Sequence, residues 1–177
     1  MYYTLSLDAK EQVLANLGNF SYDPINYAYL RQLNVIDIYL DIMSDPNYNV
    51  SGTETLVHFA LAGLCNLCLD KDNKEYILSV GGIKPVTSLL MNSNHEQTVL
   101  NSITTLMYLV TPQSKSEITS PEVIQRLLQL SAPSPSSSPP NPRAANLAKI
   151  FLNDLCTPDQ IARASHCLHT SQIPLPC

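Results

Sequence analysis

Cys65-x-x-Cys68 and His166-Cys167-Leu168-His169 are the places in this chain where residues able to bind metal or carry redox chemistry stand closest together. A structural zinc site takes four thiolate or imidazole ligands. The first cluster has no second CxxC pair and no suitably placed histidine pair. No strand–helix–strand pattern surrounds it, as a thiol-redox motif would require. Its cysteines therefore read as small hydrophobes on a packed helix. The second cluster lies in a terminal segment beside a proline-rich end and reads as a solvated tail. No metal and no cofactor are expected.

A catalytic nucleophile needs a neighbouring base and a group that orients it. The chain holds no nucleophile elbow, P-loop, HExxH helix or glycine-rich nucleotide loop, and its five glycines leave little material for one. No enzyme is expected.

Composition narrows the class further. A chain of 177 residues that is 45% hydrophobic can bury a continuous core and reads as a single domain. No run approaches the roughly 20 apolar residues of a spanning helix, so no membrane segment is expected. The start, MYYTLSLDAKEQ, lacks the basic-then-apolar order of a signal peptide. Five scattered cysteines form no even disulfide framework and point to a reducing compartment. The chain is thus expected to be soluble and intracellular. A net charge of −5 with only ten Lys and Arg disfavours strong direct binding to nucleic acid, whose phosphates are held by cations.

The elements that position these residues are helices, because apolar residues return at spacings of three and four. Val13, Leu14, Leu17 and Phe20 form one stripe. Leu56, Val57, Ala60, Leu61, Leu64, Leu67 and Cys68 form another, followed by Val99, Ile103, Leu106, Met107 and Val110, and then Leu147, Phe151, Leu152 and Leu155. Each stripe is expected to bury one helix face. Asp23-Pro24 and Ser120-Pro121 pair a capping acceptor with proline at the first helical position. Thr157-Pro158-Asp159-Gln160 is a capping box. At Gly81-Gly82 a left-handed turn costs little, so two helices should meet there at a corner.

These helices recur. Residues 13–43 lie over residues 60–90 without a gap, so that Leu14 pairs with Leu61, Asn19 with Asn66, Asp23 with Asp70, Asn26 with Asn73, and Tyr29 with Tyr76, at an offset of 47. Leu106–Leu109 and Leu152–Leu155 lie over Leu64–Leu67 in weaker third and fourth copies. Between them, 113–120 is too short and polar for a good helix.

The offsets match HEAT and armadillo units, and the second copy, with ALAGLCNLC, then Gly-Gly-Ile, then KPVTSLLMN, resembles the armadillo repeat over about residues 9–160. The expected fold is all-α, a short right-handed armadillo-type solenoid of about three to four repeats. It should occupy residues 1–165, with a disordered Ser/Pro loop at 131–143 and a flexible tail at 166–177. DAKEQVLANLGNFSYDP, GLCNLC, TVL--ITTLM-L and the final IPLP also resemble a family of small armadillo proteins of the minor spliceosome.

That resemblance implies a nuclear, non-catalytic protein-binding scaffold in minor (U12-type) pre-mRNA splicing, whose partner is an RNA-recognition-motif protein that makes most of the RNA contact. A cytoplasmic adaptor in an unrelated complex is the alternative. In armadillo proteins the asparagine matched by Asn19 and Asn66 commonly bonds an extended peptide backbone along the concave face. Karyopherin-type grooves carry tryptophan one turn earlier, where this chain has Ala15 and Ala62, so import-signal binding is disfavoured. The candidate groove is bordered by Asn19, His58, Asn66, His95, Asn101, Thr105 and Tyr108. The competing reading is that Asn19 and Asn66 cap or bridge turns within the repeats.

Overall fold

Helices begin where short polar side chains can take up the first free N–H groups. In the computed structural model, which describes residues 6–48, 52–132 and 142–170 and side chains as far as residue 167, α1 (Leu7–Phe20) is capped by Ser6, whose Oγ accepts from Ala9 N at 3.3 Å. Asp23 accepts from Ile25 N and opens a 3-10 turn at Pro24–Asn26, which leads into α2 (Tyr27–Gln32) and α3 (Val35–Ser44). The next triplet is α4 (Glu54–Leu67), α5 (Lys71–Ser79) and α6 (Ile83–Asn92), and Asp70 caps α5 through Asn73 N. With α7 (Glu96–Tyr108) these make one compact unit, ending at Leu109.

A second unit starts at Val110 and holds α8 (Lys115–Ile118), α9 (Pro121–Ser131), α10 (Pro142–Leu155) and α11 (Pro158–Thr170). In it α9 packs against both α10 and α11. The polar segment 113–120 yields only the single turn of α8. Pro121 opens α9 as expected, although the Ser120 side chain makes no capping bond. The Thr157–Gln160 box does form, with Gln160 N donating to Thr157 Oγ1 at 3.3 Å and Thr157 N donating to Gln160 Oε1 at 2.9 Å. Of the Ser/Pro stretch, residues 133–141 lie outside the described residues. Of the expected tail at 166–177, α11 carries the chain helically as far as Thr170, and residues 171–177 lie outside the described residues. No strand occurs among the described residues.

The first unit is built around α4, which packs against α1, α3 and α7, while α6 packs against α3 and α7. The α4 stripe is buried throughout. The α1 stripe behaves differently: Leu14 is buried, but Val13 and Phe20 stand exposed. The reason is positional, because α4 covers one side of α1 and no described helix covers the other. The corner between the last two helices of each copy turns through a left-handed residue, Asn34 (φ 55°) in the first and Gly81 (φ 78°) in the second. These residues pair at the 47-residue offset, so both copies solve the corner the same way.

Candidate partner-binding site

A histidine pair marks a recess of the first unit. His58, one turn into α4, and His95, the N-cap of α7, are brought together because α4 and α7 pack side by side. Their rings meet edge to face, with centroids 5.3 Å apart. His95 Nδ1 accepts from Thr98 N at 3.4 Å, which fixes its ring over the start of α7. Both rings line a cleft of about 1010 Å³, whose other walls include Tyr48, Glu54, Leu89, Asn92 and Asn94.

The electrostatics of this cleft favour a neutral His58. Burial lowers its pKa, and the charge of His95 lowers it further. Its Nδ1 is enclosed without a hydrogen-bond partner. At the rim, the Glu54 carboxyl is held down by its own backbone N–H at the helix start and then by that of Gly52 in the turn before it, whose N donates to Glu54 Oε2 at 2.8 Å. His95 adds a smaller pull in the same direction. The cleft therefore offers an anionic edge at Glu54, amide side chains and a neutral His58 ring. It could take a polar peptide segment, and it lacks the cationic lining a phosphate backbone needs.

The remaining candidates lie outside this cleft. Asn66, at the end of α4, points its Nδ2 at the carbonyl of Gly18 on α1 at 3.4 Å, so in this structure it spans two repeats. Asn19, its counterpart, is exposed, and so is Tyr108. Asn101 is half-buried. Thr105 is buried, and its hydroxyl lies beside the Cys65 thiol without a well-formed hydrogen bond. Burial pushes the Cys65 and Cys68 thiols up, so both stay protonated inside the core of α4. Among the described residues no three His, Cys, Asp or Glu side chains converge as metal ligands.

A scan against protein-family models gives no match. Mouse armadillo repeat-containing protein 7 is 51% identical over 177 residues, which cover 98% of this chain and 83% of the mouse protein. The chain belongs to the armadillo repeat-containing protein 7 family. Its all-helical repeats are accordingly armadillo repeats, and no described helix is long and apolar enough to cross a membrane.

Within that family fold, the polar joint between the first two armadillo repeats went unrecognised as a site in the sequence. Arg31, at the end of α2, reaches Asp70 at 2.9 Å, Asp72 at 3.2 Å and the Asn73 side-chain oxygen. Tyr76 donates to Asp37 Oδ1 at 2.7 Å. The available signal was the recurrence of Asp, Asn and Tyr at matching positions of the two copies. It marked the repeat without saying that the second set faces the first repeat.

Proposed function

We propose that this armadillo protein is a non-catalytic, protein-binding scaffold of the nucleus that acts in minor-class pre-mRNA splicing through an RNA-recognition-motif partner. The observation that carries the reading is the 51% identity with mouse armadillo repeat-containing protein 7, taken with the resemblance of the repeat motifs to small armadillo proteins of the minor spliceosome. The net charge of −5 supports a division in which the partner supplies the RNA contacts.

The partner is assigned to the surface bordered by Asn19, His58, Asn66, His95, Asn101 and Tyr108, with the His58–His95 cleft as its deepest anchor and Thr105 buried beneath the surface. Aromatic and amide side chains of this kind suit protein contact. Affinity capture of the tagged full chain from nuclear extract tests the function. An RNA-recognition-motif protein and minor-class small nuclear RNA should be recovered together, and His58→Ala and Tyr108→Ala should weaken recovery. Exclusively cytoplasmic partners would overturn the reading. Full recovery with both variants folded would move the partner to another face.

A further inference from the structure

The cleft beside His58 and His95 lies where the end of one helix meets the starts of two others. α6 ends at Asn92, while α4 and α7 begin at Glu54 and Glu96. A helix start offers free N–H groups, which suit an anion, and a helix end offers free carbonyls, which suit a hydrogen-bond donor. Here the chain already uses N–H groups at both starts. The Glu54 carboxylate takes its own backbone N–H and that of Gly52, and His95 Nδ1 accepts from Thr98 N. The Asn92 amide nitrogen is occupied as well, donating to the Ser88 carbonyl at 2.9 Å and to Ser88 Oγ at 3.3 Å.

Acceptors are therefore what the cleft has left to offer. None of the ion pairs among the described residues uses Glu54, and no lysine or arginine lines the cleft. His58 adds no opposing charge while it stays neutral. Val57 and Leu89 supply apolar wall beside the two imidazole rings. A space of about 1010 Å³ stands at the top of the roughly 300–1,000 Å³ range of ligand sites, so it holds more than one side chain. We propose that this cleft binds an arginine of the partner protein together with the backbone on either side of it, the guanidinium on Glu54 and the Asn92 oxygen, and the stem against Val57 and Leu89.

Other guests fit less well. A phosphate or an acidic peptide would meet the Glu54 charge and compete with Glu54 and His95 for the N–H groups they hold. A lysine brings a compact point charge with no flat face. Arginine carries five donors in one plane, which can lie against an imidazole ring and reach two acceptors at once. One wall of the cleft already takes a cation: Lys10 lies over the Tyr48 ring, 5.4 Å from its centroid, and donates to its hydroxyl at 3.1 Å.

This assignment rests on the protein-binding reading of the armadillo fold, but its test uses neither nuclear extract nor RNA, so either can fail alone. The probe is N-acetyl-arginine methylamide, titrated into the isotope-labelled full chain at constant ionic strength and about pH 7.5, where an ordinary histidine is neutral. The ring resonances of His58 and His95 and the Gly52 amide should shift saturably, with a dissociation constant in the millimolar range. The lysine analogue should bind more weakly, and the uncharged citrulline analogue should not bind. Glu54→Gln keeps an acceptor for Gly52 N and should weaken binding about threefold to fivefold, the reach of an exposed ion pair. Asp41→Asn removes a carboxylate outside the cleft and should leave binding unchanged. No saturable shift, equal binding of either analogue, or equal loss in the two folded variants would overturn the proposal. So would inorganic phosphate that moves the same resonances at lower concentration than the arginine probe.

Discussion

Gly63 on α4 lies against the ring of Tyr39 on α3, so closely that a Cβ there would overlap the ring and its hydroxyl oxygen. The missing side chain lets a fully buried tyrosine lie flat between two repeats, with its hydroxyl 3.0 Å from Ser21 Oγ. Gly63→Ala should therefore destabilise the first unit by about 1–3 kcal/mol, the usual range for overpacking a filled core. Urea unfolding followed by circular dichroism measures the change. An unaltered midpoint would mean that Tyr39 repacks freely.

The neutral state of His58 makes stability depend on pH. Its pKa in the folded chain lies below the ordinary 6.5, through burial first and the charge of His95 second. As pH falls past 6.5 the unfolded chain takes up the proton more readily than the folded one, so stability is full above that value and declines below it. The thermal midpoint should drop between pH 7.5 and 5.5, and His58→Gln should flatten the drop. The difference between the two curves isolates His58 from His95.

The left-handed corners separate two substitutions at one site. Asn34→Ala should cost about 1 kcal/mol, because a Cβ residue without a compensating side chain strains at φ 55°. Asn34→Gly should be close to neutral, as at Gly81 in the second copy. Equal midpoints for both variants would show that the corner relaxes out of the left-handed region.

The joint between repeats should be modest and salt-sensitive. Arg31 and Asp70 are each 30% exposed, so solvent screens the pair, and a double-mutant cycle of Arg31→Gln and Asp70→Asn should give a coupling of about 0.5–1 kcal/mol. Asparagine still caps α5, which keeps the cycle clean. The coupling should shrink toward zero at about 1 M salt. A coupling indifferent to salt would place its origin in packing.

How much of this was legible follows from what a linear pattern encodes. Helical spacing and capping residues are local, so the Thr157–Gln160 box and the Gly81 corner could be read directly. Asn34 could be recognised only by laying it over Gly81. Periodicity places Val13 and Phe20 on an apolar face but does not say whether anything covers it. The repeat pattern points to seven groove residues, yet only His58 and His95 share the cleft, because that depends on how α4 and α7 settle together. Arg31 carried no repeat signature, since its counterpart is Leu78, and so its reach to Asp70 was invisible without the packing.

The packing of α1 on a helix made later has a consequence for how the chain matures on the ribosome. Leu14 is its one buried residue, and the helix it leans on, α4, is translated some 47 residues later. Arg31 likewise waits for Asp70 to emerge. The first repeat is thus made before the helix that α1 packs against. Until then the nascent segment presents Leu14 together with Val13 and Phe20, the interval in which it is open to chaperones.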